Sequence, residues 1–260
     1  IANPFSIEVA TGAQRVLQRQ GYLMLIGGSE NDLNREAKNL QAFVEKRIDG
    51  LLVTSIDSDG TRLERISKHI PVVQIDYVNS GKLDSVRVDN IEGAFHAVSH
   101  LVTRGNRRIA TIAGPQNNTA GRERLEGYKR AMSFYQLDVL DGYVRFGNFV
   151  MEAGYQECLG LLEQYPDIDA IFLANNFMGI GALRAIREMG RKIPEDIAIL
   201  VFDDFLMADM VTPPVTVLAQ PVRTIGETAA RMLLERIQQP TILGARQVLL
   251  KPELIVREST

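Results

Sequence analysis

Two adjacent carboxylates, Asp203 and Asp204, close the apolar run Ile197–Phe202, and a second short β-like run, Val215–Ala219, ends at Gln220. Acids at the end of a buried strand suit acid–base catalysis, metal binding or the capture of a polar small molecule. Neighbouring side chains on an extended segment point to opposite sides, so the two carboxylates cannot easily share one substrate atom. Pleat geometry therefore gives them different jobs. Asp203 is expected in a binding cleft as a hydroxyl acceptor, and Asp204 as a support or cap for the loop Phe205–Asp209.

The other chemistry-bearing residues point less far. His96 and His100 stand four apart on a predicted helix, a spacing that can bind metal, but HAVSH lacks the glutamate of HExxH and no third ligand can be named. Asp57-Ser58-Asp59-Gly60 begins like a calcium loop without the closing glutamate and reads as a turn and helix cap. Gly27-Gly28-Ser29-Glu30-Asn31 lacks the closing glycine of a nucleophile elbow. Cys158 falls in the helical pattern Ala153–Leu162 with no histidine nearby in sequence, so it reads as a buried structural thiol. As the single cysteine it excludes an internal disulfide framework and fits a reducing compartment. There is no GxxxxGK[ST] loop, and no GxGxxG follows the first strand. No catalytic residue, metal ligand or cofactor is assigned, and the chain is not read as an enzyme.

The elements that must position such residues alternate along the chain. Tyr22–Ile26, Leu51–Thr54, Val72–Asp76, Ile109–Ala113, Ala170–Ala174 and Ile197–Phe202 carry continuous hydrophobicity, as strands buried on both sheet faces do. Between them lie helical patterns, with Leu33, Ala37, Leu40 and Val44 on one face and Ala182, Leu183 and Ile186 on another. Repeated βα units predict parallel sheets covered by helices on both faces. Ligands of such sheets bind beyond the carboxyl ends of the strands. Polar residues stand at those ends: Thr54 and Ser55, Asp76, Asn117 and Asn118, Asn175 and Asn176, Asp203 and Asp204. Carboxylate-to-diol pairing is the usual way to hold a sugar. Phe149, in the turn after Tyr143–Phe146, can stack on a ring ligand. Any one of these acids or amides can instead be a helix cap or turn former, but the set as a whole favours a binding cleft.

The bulk numbers set the frame. With 260 residues, 45% apolar, 23% charged and a net charge of −3, the chain is an ordinary soluble globular protein. No run approaches the roughly 18 apolar residues of a membrane helix, and no secretory leader is visible. The mildly acidic balance leaves no electrostatic footprint for nucleic acid. The βα-type elements would make a very wide single sheet, so two doubly wound parallel-sheet lobes are expected, without a linker between them. Ile1–Phe5 leads directly into the helical pattern Ser6–Gln20. A βαβ unit would place a strand first, so IANPF reads as a strand-to-helix loop whose strand is expected to be absent from this chain.

Several ordered motifs carry a family resemblance that covers essentially the whole chain. GRERLEGYKRAM (Gly121–Met132), IFLANNFMGIGALRAIREMG (Ile171–Gly190), IPEDIAILVFDD (Ile193–Asp204), PPVTVLAQPVRTIGETAARMLLERI (Pro213–Ile237) and LKPELIVREST (Leu250–Thr260) resemble the LacI/GalR family of bacterial transcription regulators. NPF near the start, KRIDGLLV at Lys46–Val53 and PVVQID at Pro71–Asp76 extend it. The resemblance implies the α/β fold of type I periplasmic-binding-protein-like sensors, two lobes joined by three crossovers. Residues 1–88 with 221–244 would form the N-terminal lobe, and 89–220 with 245–260 the C-terminal lobe, returning the helix Val222–Gln238 to the first. The family's helix-turn-helix headpiece is expected to be absent from this chain.

What the family does implies the rest. A small-molecule effector, here a sugar or sugar derivative, would bind in the interlobe cleft of a cytoplasmic homodimer. Operator DNA would be a partner only through the headpiece, with no membrane and no cofactor involved. Arg124 in RLEGY matches the family's effector-contacting arginine, and Asn175 the asparagine of its AND motif. Asp203 matches the first acid of its Y/F-D-D motif, Phe149 the aromatic that packs on the effector ring, and Gln220 the glutamine at a crossover. Asp76, Asn118, Phe5 and Ser6 occupy further cleft positions. AND is ANN here, because Asn176 replaces the acid, and Ser6 stands where relatives often place an aromatic. The arginine and threonine of purine-sensing relatives are missing at Asn118 and Ala120, which argues against a purine. The alternative is a transport-type, periplasmic sugar-binding protein of the same fold.

Overall fold

The structure, a computed structural model, describes residues 4–239 and 244–260. Residues 1–3 of IANPF lie outside the described residues, while Pro4 and Phe5 already belong to a helix. The elements run α1 (Pro4–Arg19), α2 (Leu33–Glu45), β1 (Leu51–Val53), α3 (Thr61–Ile66), β2 (Val72–Ile75), β3 (Asp84–Val88), α4 (Asn90–Thr103), β4 (Ile109–Ala113) and α5 (Thr119–Phe134). Then follow β5 (Val144–Phe146), α6 (Met151–Gln164), β6 (Ala170–Leu173), α7 (Asn176–Glu188), β7 (Ala198–Phe202), β8 (Thr216–Ala219), α8 (Val222–Gln238), β9 (Gln247–Leu250) and β10 (Glu253–Ile255). None of the described helices is long and apolar enough to cross a membrane. Two compact units result, Ile1–Val88 with Pro221–Leu250 and Asp89–Gln220 with Lys251–Thr260.

In the first unit β1, β2, β3 and β9 form a parallel sheet in that order. Helices α1 and α8 pack so closely that a Cβ added to Gly226 would lie 2.0 Å from the carbonyl oxygen of Val9. Glycine is thus the only residue that lets these two backbones meet. The buried carboxylate of Asp84, on β3, binds Arg236 of α8 at 2.6 Å and Arg246 at 3.0 Å. Arg246 immediately precedes β9, so these bonds hold the start of β9 beside β3. The expected passage to the C-terminal lobe after residue 244 is corrected by this pairing. Gln247–Leu250 forms a ladder with Ser85–Val88, and the third passage between units comes at Leu250–Lys251. The signal was weak because β9 alternates exposed and half-buried residues instead of carrying the continuous run of a buried strand.

A second correction concerns Tyr22–Ile26, expected as a strand. It joins no ladder among the described residues, and Leu23 stays 92% exposed. Its composition is strand-like, but a strand exists only with a partner, and β1 pairs with β2 alone.

In the second unit six strands run in the order β10-β8-β7-β6-β4-β5. All pairs are parallel except β10 with β8, so the expected parallel sheet gains an antiparallel edge. Strands β4, β6 and β7 are buried along their whole length, the sequence pattern that marked them out. Their core includes Cys158, Phe172 and Phe202, all at 0% exposure. This rigid centre presents the carboxyl ends of β4, β6 and β7 side by side.

Candidate functional site

Strand β7 ends at Phe202, and Asp203 follows with φ 73°, in the left-handed region. Its N–H still donates to the carbonyl of Leu218 at 3.0 Å, so the backbone is held while the side chain leaves the pleat. One carboxylate oxygen accepts from Nε2 of Gln220 at 2.5 Å, and the other accepts from Nη1 of Arg124 at 3.4 Å. Asp204 turns elsewhere. It accepts the N–H of Phe205 at 2.9 Å and faces Arg257 at 3.3 Å. The two acids therefore do have separate partners, yet a left-handed residue separates them, not the alternation of an extended strand.

Arg124 is the hub. It lies on α5 with its side chain 3% exposed, while Asp203 is 15% exposed. Nε donates to Oδ1 of Asn90 at 2.9 Å and Nη1 to the carbonyl of Ala174, at the end of β6, at 2.7 Å. The guanidinium carbon stands 3.6 Å from the centroid of the Phe202 ring and 6.0 Å from that of Phe149. A buried cation is tolerable only with such compensation from a carboxylate, oxygens and a π face.

Asn175 caps α7 by accepting the N–H of Met178 at 3.0 Å, and its amide donates to the carbonyl of Phe149 at 3.1 Å. That bond fixes a turn in which Phe149 adopts φ 64°. The Phe149 ring lies over Gly114, after β4, where a Cβ would sit 2.2 Å from ring carbons. Asn176, the departure from AND, accepts the N–H of Phe177 at 2.8 Å and donates to the carbonyl of Asp204 at 3.5 Å.

The structure brings Arg124, Phe149, Asn175, Asp203 and Gln220 together in the second unit. Asn118 belongs to this unit too, where it caps α5 by accepting the N–H of Gly121 at 2.8 Å. Phe5, Ser6 and Asp76 belong to the first unit. Phe5 and Ser6 lie in the first turn of α1, Phe5 half-buried and Ser6 exposed. Asp76 follows β2, is buried and has φ 64°. Seven described non-glycine residues have a left-handed φ, and three are Asp76, Phe149 and Asp203. Such strain persists where surrounding structure imposes it, and it collects at functional sites.

Other polar residues find structural work. Ser55 donates to the buried Glu36 at 2.6 Å. His96 faces Glu92 at 3.0 Å on the surface, and His100 meets Thr260 at 2.8 Å. Burial, then the charge of Arg104, lowers the pKa of His100. Burial pushes the Cys158 thiol up to about 12. Phe202, Gly114 and Asn90 were not anticipated as parts of the site. Phe202 reads as core from its apolar run, Gly114 as a turn, and only contact with Arg124 distinguishes Asn90.

Comparison with known proteins fixes the family. Residues 98–260 match the model of the periplasmic binding protein-like domain. The chain is 34% identical over 260 residues to the ribose operon repressor of Escherichia coli K12, covering 99% of this chain and 78% of that protein. The chain belongs to the LacI/GalR family of transcription regulators. Among solved LacI/GalR-type structures, the complex of the regulator CelR with cellobiose superposes with a TM-score of 0.90, 33% identity, 100% of this chain and 80% of that one. A LacI-family regulator from Enterococcus faecium with bound ribose gives a TM-score of 0.86 and 26% identity, covering 100% and 95%. The chain is the effector-binding regulatory part of a LacI/GalR regulator and not a transport protein. These relatives are named as regulators and repressors, none of them as an enzyme.

Proposed function

We propose that the effector is a sugar or sugar derivative, held through Arg124, Asp203, Asn175, Phe149 and Gln220. The carboxylate of Asp203, set between Arg124 and Gln220 in a left-handed turn, carries the assignment. It accepts sugar hydroxyls as a binding group, with no catalytic role. Nη2 of Arg124, the nitrogen its contacts among the described residues leave over, donates to the same ligand. The face of Phe149 takes the ring's C–H surface. Asn118 is read as a further contact, as are Phe5, Ser6 and Asp76 of the first unit.

Sugar occupancy would control operator DNA binding by a cytoplasmic homodimer. Moving a two-state equilibrium from 1:99 to 99:1 takes about 5.5 kcal/mol of differential affinity. Hydrogen bonds to charged groups contribute roughly 1.5–3 kcal/mol each, so two to four made in one state suffice. Calorimetric titration of the chain with D-ribose, cellobiose, a sugar acid and adenine tests the ligand class. Binding of a sugar, lost in Asp203→Asn and Arg124→Ala with folding intact, supports the assignment; binding of adenine alone ends it. A sedimentation coefficient of a monomer at tens of micromolar chain would end the dimer.

A further inference from the structure

Each member of the Arg124–Asp203 pair is tethered by a residue near a point where the chain passes between units. For Asp203 this is Gln220, the last residue before the crossing at Pro221. For Arg124 it is Asn90, two positions past Val88 and the first residue of α4. Helix capping does not explain Asn90, because Asp89 already caps α4 by accepting the N–H of Glu92 at 3.0 Å. Its side chain turns inward instead. At 0% exposure, it donates to Oε2 of Glu123 at 3.1 Å and accepts from Nε of Arg124 at 2.9 Å. A buried amide is costly unless it is hydrogen-bonded, and a leucine would fill a similar volume without that demand. What the amide supplies is an acceptor for Nε–H, which lies in the guanidinium plane and so fixes that plane.

We propose that Asn90 is a positioning residue for effector binding: its side-chain oxygen sets the plane in which Arg124 offers Nη2 to the ligand. The proposal rests on Arg124 as a ligand contact, argued above. Phe202 supports the guanidinium from one face, the Ala174 carbonyl holds Nη1, and Asn90 holds the Nε edge, so that the group does not rotate on that support.

The test compares wild type, Asn90→Leu, and the double variant Asn90→Asp with Glu123→Gln, which keeps an acceptor facing Arg124 and restores a donor from position 123. Asn90→Ala replaces Asn90→Leu if the latter fails to give a cooperative melting curve. In the ligand-free protein, NMR of the Arg124 Nε–H should show exchange with solvent at least about tenfold faster in Asn90→Leu, returning toward wild type in the double variant. Titration with D-ribose should weaken at least about tenfold in Asn90→Leu and recover to within about threefold in the double variant. Unchanged Nε–H exchange, or equal losses in both variants, overturns the proposal. If wild type takes up no D-ribose, that sugar drops out of the panel, and the ligand-free exchange measurement decides on Asn90.

Discussion

The guanidinium carbon of Arg124 stands over the ring of Phe202, 3.6 Å from its centroid, at the point where β7 ends and Asp203 begins. One strand thus supplies both the apolar face under the cation and the acid beside it. An arginine at 3% exposure needs such a floor, since lost hydration must be replaced from more than one side.

Phe202→Leu keeps an apolar side chain there and removes the π face. A desolvated cation–π contact amounts to about 1–2 kcal/mol, so effector affinity should fall roughly 5- to 30-fold. Calorimetry with the best-binding sugar of the panel checks this, and unchanged affinity would make Phe202 ordinary core.

Gly114→Ala drives a methyl group into the ring of Phe149, whose carbons lie 2.2 Å from that position. The ring must move, at a cost of about 1–3 kcal/mol. Melting temperature and sugar affinity are expected to drop together. Gly114→Ala combined with Phe149→Leu should recover stability but not affinity, because the stacking face is then gone.

Burial alone would raise the pKa of Asp84, but hydrogen bonds from Arg236 and Arg246 outweigh it and hold it below its ordinary value of 3.8. A carboxylate with a depressed folded pKa contributes stability above its unfolded pKa, and that contribution fades as pH falls through the folded value. Asp84→Asn should therefore destabilise the first unit by about 3–5 kcal/mol at pH 7. The gap to wild type should narrow below about pH 4. Urea melts at pH 7 and pH 3.5 measure both, and a constant gap would sink the assignment.

Cys158, at 0% exposure with its thiol pushed up to about 12, should resist alkylation in the native protein at pH 8. Iodoacetamide labelling followed by mass spectrometry should show modification only in denaturant. Rapid native labelling would mean that α6 opens far more often than its packing allows.

The strand-end residues were legible in the sequence because they follow strands buried on both faces, which announce themselves as unbroken apolar runs. Helix α8 spans Val222–Gln238, the bounds that the family resemblance implied. Strands β9 and β10 were not legible, being short and half-exposed, and Tyr22–Ile26 has strand composition without a ladder among the described residues. In the site, Asp203, Phe149 and Asn175 carry side chains whose chemistry declares itself. Asn90, Gly114 and Phe202 act through another residue's position, and a linear pattern holds no signal for that until the chain is folded.

The left-handed backbone at Asp76, Phe149 and Asp203 has a consequence for laboratory evolution. An ordinary side chain in that conformation costs about 1–2 kcal/mol, which glycine, and in part asparagine, would relieve. Libraries ranked by heat resistance would find that relief opposed at Asp203, where glycine leaves the buried Arg124 without its carboxylate, and at Phe149, where it removes a ring packed on Gly114. Backbone strain and side-chain contacts therefore pull in opposite directions at the same positions.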